Sequence, residues 1–373
     1  MKKALVTGGA GFIGSHLVDA LVERGMKVRV LDSLEPQVHG PTRQAPAYLN
    51  PEAELIQGDL RNRDLLWSAL EGMDVVFHEA SAVGVGQSMY EVEHYVSANT
   101  LGTAVLLDLL ANRRHSVQKL VMASSMSIYG EGSYRCHRCG PVEPMPRDEA
   151  QMALRIWEPL CPRCRAALTA VPTPETKAPQ STSIYAITKK AQEEMCLCVG
   201  KAYGIHTVAL RYFNVYGPRQ ALSNPYTGAA AIFSSRAMNG SPPLIYEDGL
   251  QTRDFVHVSD VVQANLLAMD SEAANYQALN VGTGRPLTIL QVANTICERV
   301  GPPGLRPRVV GKYRTGDIRH CHPDITRITA LGYRPRVSFE DGLRELVEWV
   351  RQQTAEDRVE QAAGELEKRG LVG

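Results

Sequence analysis

Three groups of residues carry side chains of types and spacings that do chemistry. In SIYAITKKAQEE, residues 183–194, Tyr185 and Lys189 stand four positions apart. Positions i and i+4 share a helix face, so the Lys189 ammonium is expected near the Tyr185 phenol, where it stabilises a phenolate. An unsupported phenol, with pKa about 10, is a poor base at neutral pH. One so supported takes a proton from a hydroxyl. A lone YxxxK is more often an ordinary surface pair. Its weight here comes from ASSMSIYG, residues 123–130, which follows a β-rich run and offers Ser125 to a reacting hydroxyl. The second group is TGGAGFIGS, where Gly8, Gly11 and Gly14 follow a strand and open a helix. Glycines so placed allow a tight turn and bring backbone N–H groups to a pyrophosphate at the helix N-terminus. Asp32, closing VRVLDSL, is placed for a ribose 2′-hydroxyl and would repel a 2′-phosphate, which points to NAD rather than NADP. Asp59, in the GDL that ends a third strand, is placed toward the adenine. The third group is Cys136-x2-Cys139-x21-Cys161-x2-Cys164. That spacing suits a zinc ribbon, and four thiolates leave no open coordination position, so a metal there is structural and zinc is expected. Two disulfides or free thiols are the alternatives. Redox enzymes also use CxxC, but neither pair sits on a strand-to-helix turn.

Positioning these groups calls for a sheet whose loops converge at one edge. Residues 3–7, 27–31, 54–57, 74–78 and 119–123 read as short strands, and 11–24, 64–70 and 92–113 as helices between them. The rhythm resumes with a helix over 185–203 and a strand over 207–211. Strands alternating with helices predict an α/β fold, a doubly wound parallel (Rossmann) sheet with right-handed crossovers. Residues 1–212, rejoined by 252–280, are expected to form the dinucleotide-binding domain, with 131–178 as a Cys-rich insertion. Residues 213–251 and 281–373, richer in Pro and Gly, are expected to form a smaller, partly interleaved carboxyl-terminal substrate domain. Residues 354–369 read as a solvated charged helix. Equal numbers of Lys+Arg and Asp+Glu, 40 each, argue against a general polyanion binder. With no apolar run of about 18 residues, no membrane span is expected. The segment MKKALVTGG reads as strand and turn rather than a leader, so the eight cysteines are expected as reduced thiols in the cytoplasm.

Together these motifs resemble the extended short-chain dehydrogenase/reductase family of nucleotide-sugar enzymes, over nearly the whole chain apart from the Cys-bearing segment. The resemblance implies Ser125, Tyr185 and Lys189 as catalytic residues. It implies a cofactor site lined by Gly8, Gly11, Phe12, Ile13, Asp32, Asp59 and Leu60, by Ala80 of HEASAVGVGQS and by Asn99 of ANTLGT, with Tyr185 and Lys189 facing it. For a nucleoside-diphosphate sugar it implies Asn214 in RYFNVYGPRQ, Tyr246, Arg253 in TRDFVHVSD, and Arg314 and Asp317 in RTGDI. Two separated arginines suit a pyrophosphate because each donates paired, charge-assisted hydrogen bonds. The family's 4,6-dehydratases carry Asp-Glu directly after the catalytic Ser, and its decarboxylases a Glu at the second of those positions; here they are Met126 and Ser127. Without those acids the implied chemistry stays at C4. It is a redox-neutral 4-epimerisation through a 4-keto sugar, with NAD retained through turnover.

In the UDP-galactose 4-epimerases of this family a Lys commonly stands where Val83 does. Val83, Val85 and the Cys-bearing insertion look more like the dTDP-L-rhamnose 4-epimerase group, whose 6-deoxy sugar needs apolar cover and no cation. UDP-glucose/UDP-galactose and UDP-glucuronate 4-epimerase are the alternatives. An NADPH-dependent keto-sugar reductase is opposed by Asp32. A dinucleotide-sensing regulator that reads nucleic acid would need a basic insertion, and there Arg and Lys are nearly balanced by Asp and Glu. No nucleic-acid partner is therefore expected. The resemblance also implies a homodimer through the helices over 92–113 and 185–203, and the insertion is expected beside the sugar pocket as a lid.

Overall fold

Short β-branched runs in the first half of the chain form the middle of one sheet. The computed structural model describes residues 1–224, 226–314, 316–353 and 359–372. Its main sheet has seven parallel strands in the order Gln277–Val281, His206–Tyr212, Lys119–Ser125, Val75–His78, Lys3–Thr7, Lys27–Asp32 and Glu54–Gln57. Val75–His78 and Lys119–Ser125 are buried along their whole length, as strands covered on both faces must be. Strand order reverses at Lys3–Thr7, which opens a crevice at the carboxyl edge between it and Val75–His78. The outer strand Gln277–Val281 has no counterpart among the strands expected from the sequence, because QALNV is short and carries polar residues at two of its five positions.

Helices close both faces. Leu17, Val18 and Leu21 of Phe12–Glu23 join Val261, Ala264 and Ala268 of Val258–Asp270 in one core, and Leu66, Leu70, Leu106, Leu110 and Cys196 line the other. A third apolar cluster holds Tyr216, Phe233, Ile245, Phe255, Ile296 and Leu346. Helix Ile184–Tyr203 starts at Ser183, whose hydroxyl accepts from Ala186 N at 3.2 Å, and stops at Gly204 in the left-handed region (φ 69°). That conformation costs a glycine little and ends helices for that reason.

Two expectations are corrected. The single helix over 92–113 is three pieces: α-helix Val92–Tyr95, a π-helical turn Val96–Leu101, and α-helix Gly102–Asn112. An extra residue in the turn rotates the side chains that follow, a device frequent at functional sites. The tail helix is not a solvated one. Residues 354–358 lie outside the described residues, but helix Val359–Lys368 buries Ala362 and Leu366, four positions apart on one face. Leu366 packs over Gly86, the Arg369 guanidinium lies 4.3 Å above the Tyr90 ring, and Val372 bridges Arg314.

Within 131–178, strands Gly140–Val142, Ser133–Cys136 and Thr169–Val171 form a small antiparallel sheet. A short helix, Glu149–Ala153, lies between the two CxxC pairs and is capped by Asp148.

Candidate active site

At the end of the first strand Gly8 takes φ 70°, and a Cβ there would stand 2.8 Å from the Ala80 backbone. A Cβ on Gly14 would stand 2.2 Å from the Gly8 carbonyl oxygen. Both positions thus require glycine, one for its dihedral and one for close packing of the helix on the turn. The turn ends at Phe12 and Ile13, which open helix Phe12–Glu23. Asp32, almost fully buried, accepts from Ala10 N at 3.0 Å and from Leu34 N at 2.9 Å, so its carboxylate is fixed beside the glycine turn. These features form a cradle of the shape a dinucleotide pyrophosphate and ribose need. Asp59 follows the third strand but turns to Arg61, whose side chain donates to it at 2.9 Å and holds its carboxyl below the usual range. Leu60 beside it is buried against Gly102.

Asn99 lies in the π-helical turn and is fully buried. Its oxygen accepts from Ala82 N at 2.7 Å, while its nitrogen donates to Ala82 O at 3.1 Å and to Thr188 Oγ1 at 3.0 Å. It therefore ties the loop after Val75–His78 to the helix that carries Tyr185 and Lys189. In the first turn of that helix, Tyr185 N donates to Ser88 Oγ at 3.0 Å, satisfying a backbone donor that the helix itself leaves free. The Tyr185 ring sits edge-on to Tyr95 at 6.4 Å.

Ser125, Tyr185 and Lys189 converge at the carboxyl edge. The Ser125 hydroxyl accepts from Ser127 N at 3.1 Å and Ser127 Oγ at 2.9 Å and lies near the Tyr185 phenol. Burial pushes the Tyr185 phenol above its ordinary value, with the neighbouring Ser125 hydroxyl opposing. The depression expected from Lys189 does not appear in the protein alone. Lys189 is itself buried, and burial pushes it down to about 8 against the pull of the Glu79 carboxylate. Glu79 follows the fourth strand and accepts from Tyr212 Oη at 2.8 Å; burial pushes it up to about 7. Asn265 Nδ2 donates in turn to the Tyr212 hydroxyl at 2.7 Å. Neighbouring His78, pushed to about 3 by burial with Lys189 adding, is a neutral imidazole between Thr7 and Thr103. Glu79 is missing from the residues singled out in the sequence, because its place depends on Tyr212 and Lys189, which only the fold brings to it.

Of the residues expected to hold a sugar nucleotide, Tyr246, Arg314 and Asp317 are brought together. The Arg314 guanidinium lies 4.1 Å over the Tyr246 ring, and Asp317 N donates to Arg314 O at 3.2 Å. Arg314 Nε and Asn214 Oδ1 are buried polar atoms with no partner among the described residues, a donor and an acceptor that a ligand would satisfy. Arg253 is placed differently: it donates to the carbonyls of Thr252, Ile318 and Arg319 at 2.7–2.9 Å. Val83 is half exposed, next to Gly84.

The four cysteines converge, with all four sulfurs within 4.8 Å of one another. None is in a disulfide. Backbone N–H groups of Arg138 and Cys139 point at Cys136 Sγ and lower its thiol to about 7. Those of Cys164 and Arg163 point at Cys161 Sγ, lowering its thiol against burial.

Residues 4–149 and 166–282 match the model of the NAD dependent epimerase/dehydratase family. The stretch between the two matches, 150–165, holds Cys161 and Cys164. A dTDP-L-rhamnose 4-epimerase of Burkholderia thailandensis is 35% identical over 94% of this chain and 96% of its own. The UDP-glucose 4-epimerase of Thermotoga maritima, solved with UDP-glucose, is 32% identical with a TM-score of 0.75 over 94% of this chain and 99% of its own. That of Thermus thermophilus, solved with NAD, is 31% identical with a TM-score of 0.73 over 94% of this chain and 100% of its own. The chain belongs to the NAD dependent epimerase/dehydratase family and is an epimerase.

Proposed function

We propose that the protein inverts C4 of a nucleoside-diphosphate sugar, dTDP-L-rhamnose, through a 4-keto intermediate. The observation that carries this reading is the Ser125 hydroxyl near the Tyr185 phenol with Lys189 one turn on, next to Met126 and Ser127 where an elimination or a decarboxylation would need acids. Gly8, Gly11, Phe12, Ile13, Asp32, Asp59, Leu60, Ala80 and Asn99 would hold NAD, which when bound supplies a hydride acceptor and donor at C4. Tyr185 takes the proton of the 4-hydroxyl and later returns it, Ser125 orients that hydroxyl, and Lys189 stabilises the phenolate. Asn214, Tyr246, Arg253, Arg314 and Asp317 hold the diphosphate and nucleotide, so that the keto sugar turns about its diphosphate and presents its other face. Val83 and the similarity to the Burkholderia enzyme support a 6-deoxy sugar. The relatives named for UDP-glucose make a UDP-sugar the second reading.

The same reading assigns 1–212 with 252–280 to NAD, and 213–251 with 281–373 to the sugar nucleotide. It places one structural zinc on Cys136, Cys139, Cys161 and Cys164. Zn–S bonds of about 2.3 Å in a tetrahedron put sulfurs about 3.8 Å apart, a spacing the gathered thiols can meet; Cys136 Sγ and Cys164 Sγ are 3.5 Å apart. Exposed Val92, Val96, Leu101 and Ile187 on the two helices support a homodimer, and reduced thiols suit a cytoplasmic enzyme. Among the described residues no helix is long and apolar enough to cross a membrane. The test is incubation of purified protein with dTDP-L-rhamnose, UDP-galactose and UDP-glucuronate, without added NAD, followed by NMR of the products. Inversion at C4 of dTDP-L-rhamnose is expected; no inversion of any of the three, with NAD bound, would overturn the epimerase assignment.

A further inference from the structure

The insertion carrying the four cysteines reaches into the sugar-nucleotide side through a buried ionic cluster. Arg147 and Glu158 both lie on the loop between the two CxxC pairs. The Arg147 guanidinium, almost wholly buried, pairs with Glu247 at 2.9 Å and donates to the Asp317 carbonyl at 2.9 Å. Glu158, three residues before Cys161, pairs with Arg319 at 2.7 Å and His320 at 3.0 Å. Arg319 also binds Glu247 at 2.8 Å and Asp248 at 2.7 Å. Glu131, at the start of the insertion, accepts from Arg319 N at 2.7 Å and His320 N at 3.2 Å. Each contact lands on one of two segments, Tyr246–Asp248 or Arg314–His320. The first carries Tyr246; the second carries Arg314 and Asp317 and presents the two carbonyls that orient Arg253.

We infer that the four-cysteine insertion is a buttress for nucleotide binding, with Arg147 and Glu158 as positioning residues that hold Tyr246, Arg253, Arg314 and Asp317 in register. This rests on the assignment of those four residues to the sugar nucleotide. A charge buried at an exposure of 3% has no water to replace a lost partner, so the Arg147 contacts have one low-energy arrangement. Fixing the loop at its two ends by a closed four-thiolate site keeps Arg147 and Glu158 from swinging away, since the first pair lies before Arg147 and the second just after Glu158. Metal at the cysteines is thereby coupled to the affinity for nucleotide, while Ser125, Tyr185 and Lys189 stand on other elements.

The experiment measures dTDP and UDP binding to the metal-loaded protein by calorimetry, alongside kcat and KM. Arg147→Gln is expected to weaken nucleotide binding and raise KM at least ten-fold, with kcat and bound NAD within two-fold of wild type and partial recovery in Arg147→Lys. Removing the metal with a chelator, or Cys139→Ser, is expected to give the same KM-specific loss, reversed by zinc in the first case. Arg314→Ala separates the two levels of the reading. If it leaves dTDP and UDP affinity unchanged, the assignment of the nucleotide site falls. If it weakens binding and Arg147→Gln does not, the buttress falls. Should Arg147→Gln not fold, Glu158→Gln decides, since it removes a charge at constant size; unchanged affinity there overturns the proposal.

Discussion

At the residue scale the proposed chemistry rests on how Tyr185 is made a base. In the protein alone burial dominates and the phenol is raised, so the proposed role would depend on the cationic charge of Lys189 and of a bound oxidised cofactor. Tyr185→Phe is expected to lower turnover by roughly 10²–10⁴-fold, the range for removal of a general base, while NAD remains bound; rates and the NAD content of the variant check it, and unchanged turnover removes Tyr185 from the mechanism. Glu79 adds a second expectation. Its carboxyl is pushed up to about 7 and is the main counter-charge to Lys189, itself lowered to about 8. Lys189 is an ammonium below about pH 8 and loses its charge above it, so support for the phenolate weakens as pH rises through that value; the Glu79 carboxylate, ionised above about pH 7, opposes the loss by favouring the ammonium. Activity should therefore fall on the alkaline side with a midpoint near 8. Glu79→Gln removes the carboxylate and should move that midpoint to lower pH, read from the pH profile of turnover. A limb that stays in place in the variant assigns the titration to another group. Tyr185, Lys189, Ser125 and the glycines were legible because local spacing encodes each. Glu79 was not, because its significance comes from Tyr212 and Lys189, which lie far along the chain.

Elements decide whether those residues meet. The π-helical turn Val96–Leu101 was invisible in the sequence, since its apolar pattern fits an ordinary helix within one residue, yet it seats Asn99 between Ala82 and Thr188. In the insertion, metal analysis is expected to find about one zinc per chain, and protein purified without chelator that lacks it would overturn the site. Acid stability gives a further check. Although burial opposes it, hydrogen bonds from His320 and Arg319 hold the Glu158 carboxyl down to about 2, from an ordinary 4.5. A depressed carboxyl contributes stability that is complete above its unfolded pKa and is lost as pH falls through the folded one. The Glu158 contribution should thus be present above about pH 4.5 and vanish toward pH 2. Acid unfolding followed by circular dichroism should be shallower across that window in Glu158→Gln than in wild type.

At the scale of the whole molecule, the tail that reads as a solvated helix instead packs on the loop around Gly86 and on the segment that carries Arg314. Leu366 and Arg369 cover Gly86 and Tyr90, the Glu367 carboxylate accepts from Lys312 Nζ at 2.6 Å, and Val372 bridges Arg314. Its paired apolar residues, Ala362 and Leu366, gave a stripe too narrow to separate a docked helix from a free one. Another apolar surface remains uncovered: Val92, Val96 and Leu101 are each more than two-fifths exposed on the helical run that follows the Val83 loop. If this face joins two copies, Val96→Glu with Leu101→Glu should convert a dimer into monomers by light scattering, with the NAD content unchanged. A variant that stays dimeric places the interface elsewhere.

Periodic and short-range information determined the class of fold and pointed to the glycine turn, to Tyr185 with Lys189 and to the two CxxC pairs. Each of these motifs consists of residues a few positions apart, where helix, strand and turn geometry fixes direction. Tertiary structure alone decided what connects them. It set Glu79 against Tyr212, Arg147 against Glu247 and Glu158 against Arg319. Such pairs join segments far apart in the chain, and a buried charge chooses its partner by what burial leaves within reach, a choice that has no period and leaves no local signature.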